Sequence, residues 1–156
     1  DGDTRAMIAL ASSLHDIGKI GVDEKILNKP GKLTTEEFDI IKTHTMTGAD
    51  ILERMMPYQD EPLIKTAYEI CRWHHERYDG NGYPDGISGE EIPISAQIVS
   101  LADVYVALTS DRVYQTKVSH ERAVEMIRNR ECGVFNPLLL ECFVDIEKKI
   151  KESLTF

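Results

Sequence analysis

The chain has 156 residues, few enough to read as one domain and enough to bury a core of its own. Its formal net charge of −9, with no long basic stripe, excludes a DNA or RNA backbone as partner but not a small anion held through metal ions. No apolar run approaches a membrane span, the first residues lack a signal-peptide pattern, and Cys71, Cys132 and Cys142 read as buried thiols of a reducing, cytoplasmic compartment.

Taken in order, the residues predict an almost wholly helical protein. Met7 to Leu14 is apolar enough for a buried helix that delivers His15 and Asp16 at its C-terminal end. Gly18 and Gly21 then loosen the backbone, and Lys29-Pro-Gly-Lys32 is set for a tight turn. Thr34 and Glu37 fit a capping box. The helix they open runs to about Met56, with Phe38, Ile41, Ala49 and Leu52 as its apolar positions. Asp60 and Pro62 start another that passes through Trp73, His74 and His75. The run Asp79-Gly-Asn-Gly-Tyr-Pro-Asp-Gly86 cannot be helix and reads as an ordered loop beside the two histidines. Pro93 opens a helix through Leu108, Ser119 one to about Arg130, and Asn136-Pro137 a last one.

His15, Asp16, His44, His74, His75 and Asp103 are candidate metal ligands. His15, His44, His74 and Asp103 fall about 30 residues apart, one helix plus one connection, so antiparallel helices can bring them to one level of a bundle. Imidazoles mixed with carboxylates suit Fe, Mn or Zn better than Mg or Ca, which prefer oxygen alone. Six donors exceed one tetrahedral site, so two or more ions sharing Asp16 or Asp103 is the economical arrangement. Such a pair activates water and stabilises both oxygens of an in-line displacement at phosphorus. Singly, each residue has a plainer reading. His44, beside Ile40 and Ile41, could be a satisfied core histidine; one of His74 and His75 could be surface; Lys19 and Arg112 could be surface charges. Asp103, between Leu101-Ala102 and Val104, needs a partner if buried. His120, beside Glu121 at a helix start, reads as solvated surface.

The strings His15-Asp-Ile-Gly-Lys19, His44-Thr-Met-Thr-Gly48, His74-His-Glu-Arg-Tyr-Asp-Gly-Asn-Gly-Tyr-Pro-Asp-Gly86, Ile92-Pro93, Ala102-Asp-Val-Tyr105 and Ala107-Leu-Thr-Ser-Asp-Arg112 carry a family. They resemble the HD-GYP domains, a branch of the HD metal-dependent phosphohydrolases. The resemblance implies an all-α HD-domain helical bundle with a Gly/Pro-rich loop after the His-His helix. It implies two or three divalent ions, iron or manganese first and zinc or nickel as alternatives, and hydrolysis of cyclic di-GMP to the linear dinucleotide or GMP. By position it makes His15, Asp16, His44, His74, His75 and Asp103 metal ligands, and gives Asp16 and Lys19 catalytic roles. Lys19 and Arg112 become phosphate contacts, and Gly82, Tyr83 and Pro84 part of the pocket wall. It also links the 79–86 loop to a diguanylate-cyclase-type protein partner.

Val106, Val113 and Gln115 stand where the family usually has aspartate, proline and lysine. Family members also carry a helix ahead of His15 with a further metal-binding histidine, which this sequence begins too late to contain. The domain is therefore expected to be the C-terminal part of a longer signalling protein. The alternative these departures support is a catalytically weakened nucleotide sensor or protein-interaction module.

Overall fold

The computed structural model describes residues 2–55, 61–111 and 116–154; among them all regular structure is helical. Helix α1 spans Gly2–Ser12 and buries only Ala11, with Leu10 59% exposed. It is a surface helix, not the buried one its apolar letters predicted. It also stops before His15. The Ser12 and Ser13 hydroxyls donate to the Ala9 and Leu10 carbonyls, competing with continued helix. His15 and Asp16 therefore stand on the turn that leads into a 3-10 segment, Ile17–Gly21.

A short helix α2, Glu24–Leu27, was not foreseen; the Asp23 carboxylate caps it by accepting from the Lys25 amide at 2.8 Å. Helix α3, Thr35–Glu53, opens on the predicted capping box, both bonds present. Lys29 pairs with Glu37 at 2.6 Å, which ties the preceding bend to this start. The helix buries His44, Thr45, Gly48, Ala49 and Leu52, whereas Phe38 stays 43% exposed. Its core-facing side thus begins only at His44.

Helix α4, Pro62–Trp73, has proline in its first turn, where a missing N–H costs nothing. Asp60 and Met56, predicted as helix boundaries, lie outside the described residues. The helix stops one residue short of the histidine pair, although the His74 amide still donates to the Ile70 carbonyl at 3.0 Å. Helix α5 is Ile94–Thr109, α6 is His120–Arg128 capped by Ser119, and α7 is Pro137–Leu154. Asn136 Oδ1 accepts from the Leu138 amide at the start of α7, as its cap role predicted.

Two apolar clusters share α5. One gathers Ala11, Leu52, Ala67, Ile70, Cys71 and Val99 from α1, α3, α4 and α5. The other joins Leu101, Tyr105 and Leu108 of α5 to Ala123 and Ile127 of α6, Phe143 of α7, and Phe135 from the segment just before α7. Fully buried Leu52 and Ile70 contribute about 1.5–3 kcal/mol each, and they clamp α3 on α4 beneath the histidines. Cys71 is buried as predicted, but Cys132, in the turn after α6, is half-buried, and Cys142 is exposed because α7 turns part of its apolar side outward. No helix among the described residues is long and apolar enough to cross a membrane.

Candidate metal centre

The 3-10 segment and α3 meet almost backbone to backbone, and that contact sets the site. A Cβ on Gly18 would overlap the His44 carbonyl and the Gly48 amide nitrogen, so only glycine permits the approach. It brings Asp16 beside His44. Cys71 donates its thiol to the Leu14 carbonyl at 3.0 Å, fixing the preceding turn against α4. Burial pushes this thiol's pKa up to about 12, so it serves as a donor and not a thiolate.

Three imidazoles are oriented in the same way. Nδ1 of His15, His44 and His74 lies 2.7, 2.6 and 2.8 Å from the carbonyls of Ser12, Ile41 and Ile70. A carbonyl can only accept, so each Nδ1 carries the proton and each Nε2 presents a lone pair. Those lone pairs converge. His15 Nε2 is 3.3 Å from Asp16 Oδ2, and His44 Nε2 is 3.3 Å from Asp16 Oδ1. The His74 ring centroid stands 5.1 Å from that of His15, 5.5 Å from His44 and 4.0 Å from His75. Ligand atoms of His44, His74 and His75 all lie within 4.8 Å of one another, as do those of His15, Asp16 and His74.

Electrostatics favour lone pairs over protons here. Burial lowers the pKa of His44 and takes His74 down to about 3; it lowers His75 as well. Burial alone would raise Asp16, but the Lys19 hydrogen bond and charge, with His15 and His44, outweigh it and hold the carboxyl below its usual value. Asp16 Oδ1, His44 Nε2 and His74 Nε2 are buried without a hydrogen-bond partner. Orphaned polar atoms are costly, and these three belong to the two clusters of ligand atoms, where a cation would satisfy them. The donor set therefore suits divalent metal ions.

Asp103, on α5, approaches the group from the far side, with Oδ1 3.9 Å from His15 Nε2. Lys19 Nζ lies 2.5 Å from Asp16 Oδ2 and is 42% exposed, a cation at the rim of the centre. All six predicted ligands are thus brought together. Val106 is 48% exposed and lines a cavity of about 430 Å³ with Arg5, Ser12, His15 and Asp103, so it replaces no partner of a buried group. Arg112, Val113 and Gln115 lie outside the described residues.

The Gly-rich loop closes the remaining side. Tyr83 stacks on His75, centroids 4.8 Å apart at 24°. The Tyr83–Pro84 peptide is cis, and a Cβ on Gly82 would overlap the Glu76 and Arg77 backbone. Gly82 therefore serves by close packing. Sequence reasoning assigned nothing to Glu76, which is buried, with Oε1 accepting from the Asp85 and Gly86 amides at 2.7 and 3.0 Å. Burial raises its pKa despite these bonds. Asp85 in turn accepts from Arg72 Nε at 2.8 Å and Trp73 Nε1 at 2.7 Å, locking the loop to α4. A glutamate placed between two histidines and a loop rich in unpaired N–H groups was the available signal. His120 is not solvated surface: it sits between the Tyr105 hydroxyl, 2.8 Å from Nδ1, and Glu147, 2.5 Å from Nε2.

Comparison with protein-family models matches the HD domain over residues 1–136. Over 145 residues the chain is 43% identical to the cyclic di-GMP phosphodiesterase of Thermotoga maritima, covering 93% of this chain and 38% of that protein. Over 152 residues it is 43% identical to a probable cyclic di-GMP phosphodiesterase of Vibrio cholerae, covering 92% and 34%. Over 139 residues it is 39% identical to the 3'3'-cGAMP-specific phosphodiesterase 2 of Vibrio cholerae, covering 89% and 26%. The chain thus spans between 26% and 38% of the length of these three relatives.

Proposed function

The chain belongs to the HD domain family, in its HD-GYP branch, and from that premise we propose that it hydrolyses a phosphodiester bond of cyclic di-GMP with two or three bound divalent ions. The observation that carries the reading is the clustering of ligand atoms of His44, His74 and His75, and of His15, Asp16 and His74, each set within 4.8 Å, with Asp16 Oδ1, His44 Nε2 and His74 Nε2 buried and without hydrogen-bond partners. His15, Asp16, His44, His74, His75 and Asp103 would hold the ions. Asp16 would be the carboxylate they share, a role supported by its two oxygens facing two different histidines. The nitrogen and oxygen donor set, with no thiolate, favours iron or manganese, with zinc or nickel as alternatives. Such ions supply Lewis acidity and a water of lowered pKa.

The chain's own groups bind and orient. Lys19, at the rim, holds a non-bridging phosphoryl oxygen and offsets charge gathering on it during displacement. Arg112 is the second cation in this reading. Tyr83, stacked on His75, closes one wall and keeps bulk water from that imidazole. The same reading makes the domain the catalytic part of a longer signalling protein, in keeping with its share of its relatives' length.

The test is elemental analysis of protein purified without chelator, paired with hydrolysis of cyclic di-GMP by the same sample. About two or more ions per chain together with turnover are expected. Asp16→Ala should lose metal and turnover together; full turnover in that variant overturns the reading. Because one relative is named for 3'3'-cGAMP, that dinucleotide is assayed in parallel. Faster turnover of it would move the substrate and leave the chemistry unchanged.

A further inference from the structure

A row of rings leads outward from the metal centre. Beyond Tyr83, which covers His75, comes Phe38: their centroids are 6.3 Å apart, edge to face at 82°. The Lys42 ammonium stands 4.9 Å from the Phe38 centroid and 5.8 Å from that of Tyr83. Phe38 and Lys42 lie one turn apart on α3, ahead of the stretch that faces the core.

Phe38 is 43% exposed, so much of the apolar gain from burying such a ring is not realised in folding. Lys42 is held: its ammonium bonds Asp39 at 2.7 Å, which keeps it over the rings. An aromatic ring with an open side, next to a fixed cation, is a stacking platform for a nucleobase, because every base has a π-face. A cation beside it can also meet the acceptor atoms O6 and N7 on a guanine edge. The six-residue rise along α3 from Phe38 to His44 is about 9 Å, a span that a nucleotide bridges from base to phosphate.

Resting on the reading of this centre as a cyclic-dinucleotide phosphodiesterase, we propose that Phe38 stacks a purine of the substrate while Lys42 contacts its edge, on the Tyr83 side of the metal centre. Phe38 is then a substrate-binding residue that sets base preference. The competing role is an apolar cover for Tyr83, which a leucine would fill equally well.

Equilibrium binding of a non-hydrolysable phosphorothioate analogue of cyclic di-GMP to the metal-loaded protein reads the contact directly. Phe38→Ala and Phe38→Leu should each weaken binding about tenfold or more, and Phe38→Trp should restore it. Bound metal should stay at the wild-type level in all three. A leucine variant that binds as tightly as wild type overturns the proposal. Wild-type turnover, measured alongside, separates the two readings. Turnover with binding indifferent to Phe38 removes the platform and keeps the phosphodiesterase. Binding that depends on Phe38 without turnover does the reverse. No binding of the analogue by the wild type removes both.

Discussion

At the scale of single residues, what suits the histidines to hold a metal is the carbonyl behind each ring. Ser12, Ile41 and Ile70 fix the tautomer, and none of them is distinctive in sequence. The donor types were legible because imidazole and carboxylate carry the chemistry in their letters. The supports were not, because a backbone carbonyl is available at every position. Glu76 shows the same limit. It sits inside the string that marks the family, yet its work is to accept the Asp85 and Gly86 amides. Glu76→Ala would leave both N–H groups without that acceptor, at about 1–3 kcal/mol for each that stays buried. Hydrogen exchange at those two amides should quicken markedly while bound metal stays near wild type. Glu76→Gln, which retains an acceptor oxygen, should keep most of the protection. Unchanged exchange in the alanine variant would mean the loop is held by Asp85 alone.

At the scale of elements, the helices were legible wherever a cap announced them. Thr34 with Glu37, Pro62, Ser119 and Asn136-Pro137 all mark real starts. Burial was less legible. Apolar letters in α1 and at Phe38 predicted inward faces, but Leu10 stays 59% and Phe38 43% exposed. The most consequential contact, the 3-10 segment lying on α3, appeared in sequence only as a glycine that loosens the backbone. Gly18 and Gly48 face each other there, and the two are not equivalent. A Cβ on Gly18 would overlap backbone atoms, whereas one on Gly48 would meet Gly18 N at 3.2 Å and Cys71 Sγ at 3.4 Å. Gly18→Ala should therefore destabilise by about 1–3 kcal/mol or more and reduce bound metal by moving Asp16 away from His44. Gly48→Ala should cost less and retain metal. Urea midpoints and metal content of the two variants check the order; a Gly18→Ala protein with full metal would contradict the close approach.

At the scale of the molecule, α5 divides two kinds of work. Its Asp103 face borders the candidate metal centre beside His15, and its Tyr105 face belongs to the apolar cluster with α6 and α7. That second half carries its own polar link: Tyr105 hydroxyl to His120 to Glu147, one residue from each of three helices. Tyr105 is 4% exposed and the His120 side chain 9%, so water cannot readily replace either bond. A histidine near a helix start beside a glutamate gave no sign of this in sequence, because its partners lie 15 and 27 residues away. His120→Ala leaves the Tyr105 hydroxyl buried and unpaired, a loss of about 1–3 kcal/mol. For a chain of this size each kcal/mol lowers the melting temperature by about 2–4 °C. Tyr105→Phe, which removes the hydroxyl instead of stranding it, should lower it less. Neither variant touches a ligand of the metal centre, so both should keep bound metal and turnover at temperatures well below melting. Loss of metal in either, with the fold intact by circular dichroism, would show that α5 transmits strain from one half to the other and does not merely separate them.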